Sequence, residues 1–198
     1  MKICRYNDDR IGLVLDAESL IDVSDALDTL PDIKWPAPLG DHFIANLETM
    51  CSEIEVLSKS GKPILLADVT LNSPVANPSK IMGAPINYQK HIEESEADDG
   101  IVSSRPISHI SDWGMFLKAN IALIGCGDGI KLRFTDNRND HEMELAVIIG
   151  KKGSNIPISE AKEYIAGYAI GLDMTTRGRN CRVFGSQQIP MPYSGPGL

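Results

Sequence analysis

Eleven residues constrain this chain more than any others: Asp140-His141-Glu142-Met143-Glu144-Leu145-Ala146-Val147-Ile148-Ile149-Gly150. Residues 145–149 are all apolar, and the Val and Ile among them favour an extended backbone. The segment reads as a fully buried strand, far too short to cross a bilayer. Glu142 and Glu144 stand at its mouth, two residues apart, a spacing that puts both carboxylates on one face of a strand. Two like charges at the edge of a buried strand repel and raise each other's pKa. A divalent cation removes that conflict, and carboxylate oxygens suit Mg²⁺, Mn²⁺ or Ca²⁺. The alternative is a solvated strand end with alternating charge.

Asp173 adds to the first possibility. Residues 168–172 read as a second short buried strand, and Asp173 follows it, ahead of the polar turn Thr175-Thr176-Arg177-Gly178. A third carboxylate there leaves about three positions of an octahedral ion for substrate and water. Capping the turn is the alternative role for Asp173. A second cluster follows Pro85. On a helix His91 and Glu94, three residues apart, share one side. A carboxylate beside an imidazole raises its basicity and orients a water, which makes a general base. The alternative is a surface histidine at a charged helix start.

Composition bounds the rest. The 198 residues suit one large domain, or one domain with a small companion. Lys and Arg number 19 against 27 Asp and Glu, a net charge of −8, which argues against a nucleic-acid partner. Hydrophobic residues at 42% provide for a real core and exclude bulk disorder. Cys4, Cys51, Cys126 and Cys181 are scattered without a Cys-x-x-Cys pair, which fits reduced thiols rather than a disulfide framework or zinc site. The first residues lack the pattern of a signal peptide. A soluble cytoplasmic protein with no membrane partner is expected.

The amino-terminal part, residues 1–72, reads as a small β/α module. Residues 1–6 and 10–15 form a predicted hairpin about Asn7-Asp8-Asp9, and 20–23 a third strand. Ser24 is placed as the N-cap of a short helix reaching Leu30, and 33–40 as loop. Phe43, Leu47, Met50, Ile54 and Leu57 mark one face of a helix over 42–57. The Asn, Ser and Pro content of 71–80 sets a domain boundary. Beyond it, strands are predicted at 80–84, 122–124, 130–134, 143–149 and 168–172. A helix capped by Ser159 is predicted to open over 160–164, with Ala161, Tyr164, Ile165 and Tyr168 on one side. The fold class is therefore α+β and β-rich.

Four segments, in this order, resemble the fumarylacetoacetate hydrolase family. They are Ile86-Asn87-Tyr88-x-x-His91-x-x-Glu94, then Met115-Phe116-Leu117-Lys118, then His141-Glu142-x-Glu144-Leu145-Ala146-Val147-Ile148-Ile149-Gly150, then Gly167-Tyr168-x-x-Gly171-x-Asp173-x-Thr175-x-Arg177. The resemblance spans about residues 80–178, and the first module resembles the smaller domain of many bacterial members. It implies a mixed β-sandwich roll, here incomplete, over residues 73–178. It also implies a divalent metal, usually Mg²⁺ or Mn²⁺, on Glu142, Glu144 and Asp173, and a catalytic dyad of His91 and Glu94. Lys118 falls where the family has a substrate-binding lysine near the active-site mouth; a plain strand-end lysine is the alternative.

In that family the substrate's 2-oxo or enol and carboxylate oxygens chelate the metal, which acts as a Lewis acid. The dyad activates a water, a C–C bond breaks, and the carbanion is held as a metal-bound enolate. Isomerases and decarboxylases use the same enolate. The resemblance thus implies a metal-dependent C–C bond hydrolase, isomerase or decarboxylase acting on 2-oxo or enol dicarboxylates in aromatic-compound catabolism. The Asp173-Met174-Thr175-Thr176-Arg177-Gly178 turn is similar to that of bacterial fumarylacetoacetate hydrolases and 2-hydroxyhepta-2,4-diene-1,7-dioate isomerases. A small 2-oxo acid is the implied substrate, and a homodimer the implied assembly of full-length members.

Past Gly178 the resemblance reads as lost. The family continues Phe-Arg-Lys-Ser-x-Asp and then Leu-Gly-Pro-Trp, where this chain has Arg179-Asn180-Cys181-Arg182-Val183-Phe184-Gly185-Ser186. Codons for 183–189, read from the third base of the valine codon, permit Phe-Arg-Lys-Ser-Ala-Asp. Those for 190–198 permit Ser-Tyr-Ala-Val-Leu-Gly-Pro-Trp-Leu. Residues 179–198 therefore read as a frameshifted tail on a truncated chain, expected to be poorly ordered and to leave the Asp173 strand without a neighbour; a divergent terminus is the alternative. Losing the lysine of Arg-Lys-Ser, an oxyanion donor, costs about a hundredfold or more in rate. The competing function is an inactive fragment that retains at most metal or subunit binding.

Overall fold

The computed structural model describes residues 1–85, 87–97, 110, 114–177 and 192–197, with the backbone alone for His91, Ser95, Glu96 and 192–197. The amino-terminal module is an antiparallel sheet in the order β1-β2-β3-β4. Its strands are β1 (Ile3–Tyr6), β2 (Arg10–Val14), β3 (Ser19–Asp22) and β4 (Pro63–Leu65). The predicted hairpin is present. Asn7 and Asp9 take φ of 45° and 62° in its turn, a conformation that short polar side chains tolerate.

Helix α1 (His42–Ser60) lays Phe43, Met50 and Ile54 onto Ile11, Ile21, Val23 and Ala26, and this is the buried core. Asp41 caps the helix by accepting the Ile44 N–H at 3.0 Å. The helix outruns its predicted end by three residues and stops at Gly61, where a Cβ would lie 2.1 Å from Ile21 Cγ2. Ser24 is not the predicted cap. It opens a 3₁₀ turn (Ser24–Thr29), and its Oγ accepts the Ile11 N–H at 2.9 Å, so the hydroxyl serves the sheet.

In the second region β5 (Ile81–Gly83) pairs with β6 (Phe116–Lys118), and α2 (Gln89–Ala97) follows β5. A long ladder joins β7 (Asn139–Ile149) to β8 (Ile165–Thr176), and β9 (Pro192–Gly197) lies on the far edge of β8. Lys151 Nζ, just past β7, is 2.9 Å from Glu48 Oε2 on α1 and ties this ladder to the first module.

Several expectations need correction. Residues 122–124 are not a strand: Asn120–Ala122 is a 3₁₀ turn, and the Asp128 carboxylate then accepts the Gly125 N–H at 2.7 Å to close a loop. Residues 130–134 lie in no strand, because among the described residues none pairs with them. The 160–164 helix is a 3₁₀ turn (Ala161–Tyr164) inside the β7–β8 connection, where the Gly150 N–H donates to the Tyr164 carbonyl at 2.8 Å. Ile165 and Tyr168 therefore belong to β8. The strand continues past Asp173, which sits inside it rather than at its end.

The apolar run is not buried on both faces. Met143, Leu145, Val147 and Ile149 are exposed, with Tyr168 and Ile170 beside them, while the alternate residues face inward. Nor does Asp173 lack a neighbour on this edge. Residues 192–197 pair with β8, with Ser194 opposite Asp173, so its edge N–H and C=O groups meet a strand. The expected poor order of the remaining tail, 179–191 and 198, lies outside the described residues.

Candidate active site

The register of the β7–β8 ladder brings the acidic residues together. Glu142 is paired with Asp173, and Glu144 with Gly171. Residues directly opposite in an antiparallel ladder share a face, with Cβ atoms about 4.5–5.5 Å apart. Glu144, two positions along from Glu142, falls on that face too. The three carboxylate residues are half-buried, whereas Met143 and Leu145 on the other face are exposed. Gly171, with no side chain, leaves room beside Glu144.

Two basic side chains meet this face from different directions. Lys118, at the end of β6, pairs its Nζ with Asp173 Oδ1, and both side chains are largely shielded, at 5% and 16% exposure. Arg177, just past β8, places Nε 3.1 Å from Asp140 Oδ2 and pairs Nη2 with Glu142 Oε1. Arg138 adds a 2.7 Å contact to Asp140. Burial acts to raise the Asp140 pKa, but the bonds from Arg138 and Arg177 outweigh it and hold the carboxyl below its ordinary value. Lys118 thus lies beside Asp173. Arg177 and Asp140 were not singled out, although Arg177 closes the last motif segment and Asp140 opens the apolar one.

The donor set fits a hard divalent ion in its chemistry: three carboxylates on one face, with oxygen donors throughout. The Glu142 and Asp173 side chains are turned to Arg177 and Lys118, and among the described residues no three His, Cys, Asp or Glu side chains converge as a ligand set. A separate cleft of about 180 Å³ lies at the seam with the first module, lined by Arg5, Asn72, Ser73, Asn120 and Asp128 among others.

His91 and Glu94 both lie on α2, three residues apart. The His91 side chain is outside those described. Tyr88 directly precedes the helix. Its carbonyl accepts the Ile92 N–H at 3.1 Å, and its hydroxyl accepts the Leu145 N–H of β7, also at 3.1 Å. The helix start and the strand of Glu142 and Glu144 are therefore joined one residue from Glu144. No helix among the described residues is long and apolar enough to cross a membrane.

The model of the fumarylacetoacetate (FAA) hydrolase C-terminal family matches residues 80–187, running beyond Gly178. Maleylpyruvate hydrolase of Aquipseudomonas alcaligenes is 47% identical over 200 residues, covering 100% of this chain and 69% of that protein. Oxaloacetate tautomerase YisK of Bacillus subtilis is 31% identical over 186 residues, covering 87% of this chain and 58% of its own length. The crystal structure of maleylpyruvate hydrolase from Sphingobium sp. SYK-6, in complex with manganese(II) ion and pyruvate, is 29% identical with a TM-score of 0.69. That match covers 100% of this chain and 66% of the other, so the chain spans about two thirds or less of several relatives it matches.

Proposed function

The chain belongs to the fumarylacetoacetate hydrolase family, and from that premise we propose that it serves metal-dependent C–C bond hydrolysis of a maleylpyruvate-like 2-oxo or enol dicarboxylate in aromatic-compound catabolism. The observation that carries this reading is the pairing of Glu142 with Asp173, with Glu144 on the same face. These residues would hold Mn²⁺ or Mg²⁺, and the ion would supply Lewis-acid stabilisation of negative charge on the substrate's oxygens. His91, assisted by Glu94, would take a proton from water as the water oxygen attacks the substrate's acyl carbon; the C–C bond to the 2-oxo fragment then breaks, its electron pair stays on that fragment's carbon, and the proton held by His91 is delivered there. Lys118 and Arg177 bind the substrate's carboxylates, their charges already confined to this face. The β5–β9 region is read as part of a mixed β-sandwich roll, and a homodimer as the assembly.

A second reading, tautomerisation of a 2-oxo dicarboxylate, is favoured by the likeness to the oxaloacetate tautomerase. It needs proton transfer at carbon but no attacking water. Turnover of maleylpyruvate and of oxaloacetate, each with and without Mn²⁺, separates the two. In the hydrolase, His91→Ala should lower hydrolysis by about 10²–10⁴-fold and leave the Mn²⁺ Kd within about twofold. Hydrolysis that survives a chelator, or full hydrolysis by His91→Ala, would exclude the hydrolytic mechanism. A chain that binds Mn²⁺ but turns over neither substrate would favour the inactive-fragment reading.

A further inference from the structure

We propose that Tyr88 is a positioning residue whose hydroxyl holds the start of α2 against the open edge of β7, keeping the helix of His91 and Glu94 beside Glu144. The inference rests on the reading that α2 carries the dyad. Among the described residues β7 is the terminal strand of its sheet, and Leu145 is paired with Ile170 on its inner side. The Leu145 N–H is directed to the Tyr88 hydroxyl, which accepts it at 3.1 Å. Tyr88 is 47% exposed, so its structural effect comes through the hydroxyl rather than through burial.

Helix α2 depends on such a tie. It has nine residues, Gln-Lys-His-Ile-Glu-Glu-Ser-Glu-Ala, with too little apolar surface to dock by burial. A helix of this length is also marginal in isolation. Tyr88 supplies both the carbonyl that accepts the Ile92 N–H in the first turn and the hydroxyl that reaches β7. One residue thereby sets where the helix starts and which strand it faces. An apolar ring of the same size would keep the first role and lose the second.

Tyr88→Phe in the full chain tests this. Exchange of the Leu145 amide hydrogen should quicken by about tenfold, the effect of one lost hydrogen bond. With Mn²⁺ bound at equal occupancy, paramagnetic broadening of the His91 imidazole signals should weaken. In turnover, kcat should fall by about tenfold with KM and the Mn²⁺ Kd within about twofold. In a His91→Ala background the same substitution should change the rate no further, since Tyr88 acts through the helix. Unchanged amide exchange and broadening, or an equal rate loss in both backgrounds, overturns the proposal. A parent chain that binds no Mn²⁺, or full hydrolysis by His91→Ala, overturns the reading of the site and the positioning role with it, even where the Leu145 amide exchange responds as expected.

Discussion

Asp22 shows how much one side chain can organise in a small module. The Tyr6 hydroxyl donates to its Oδ2 at 2.6 Å, the Ser24 N–H to its Oδ1 at 2.8 Å, and Arg10 pairs with it as well. Burial acts to raise its pKa, but these bonds outweigh it and hold the carboxyl at about 2. A folded-state pKa below the unfolded one stabilises fully above the unfolded value, about 3.9, and that contribution fades as pH falls toward 2. The side chain is 22% exposed, so the difference corresponds to about 2 kcal/mol at neutral pH. Urea unfolding of Asp22→Asn should show a loss of that order at pH 7 and a much smaller one near pH 2. An undiminished difference at pH 2 would assign the effect to packing instead. Cys4 points the other way: burial pushes its thiol up to about 11. At pH 8 its alkylation should be far slower in the folded chain than in urea; equal rates would contradict the burial.

At the scale of elements, the β7–β8 ladder decides what the carboxylates can do. Glu144 and Met143 are neighbours in sequence but lie on opposite faces. Glu144→Gln should weaken Mn²⁺ binding by at least about tenfold, the cost of removing one charged ligand. Met143→Gln should leave it within about twofold. Calorimetric titration of both variants checks this, and equal effects would mean the ion binds elsewhere. The shared face of Glu142 and Glu144 was legible in the sequence because the side-chain period of a strand is fixed by backbone geometry. So was α1, whose apolar spacing matches the helical period over most of its length. The partners of those carboxylates were less legible. Lys118 was expected near the site only by resemblance, and its pairing with Asp173 joins positions 55 residues apart in sequence. Residues 130–134 misled for the converse reason: a strand needs a pairing partner, which local sequence does not supply, and among the described residues none pairs with them. Ser24 misled because a hydroxyl at a helix start has other donors within reach, here the Ile11 N–H.

At the scale of the whole molecule, the two faces of the β7–β8 sheet differ in kind. One gathers Glu142, Glu144 and Asp173. The other exposes Met143, Leu145, Val147, Ile149, Tyr168 and Ile170, a contiguous apolar surface of a sort that monomers rarely leave uncovered. The sequence marked these residues as apolar but not which face would be covered, since an all-apolar run carries no period from which to choose a side. Such a surface should bind a hydrophobic dye and drive concentration-dependent association, measurable by sedimentation velocity. Leu145→Thr with Val147→Thr removes apolar area while placing β-branched residues suited to a strand at both positions, so association and dye binding should fall while the far-ultraviolet spectrum is kept. Because the altered side chains point away from the carboxylates, the Mn²⁺ Kd should stay within about twofold. A chain that stays monomeric and binds no dye would mean the face is covered within one chain. Association that fell together with Mn²⁺ affinity would mean the two faces are coupled through the ladder, and the separation of roles between alternate residues of β7 would then fail.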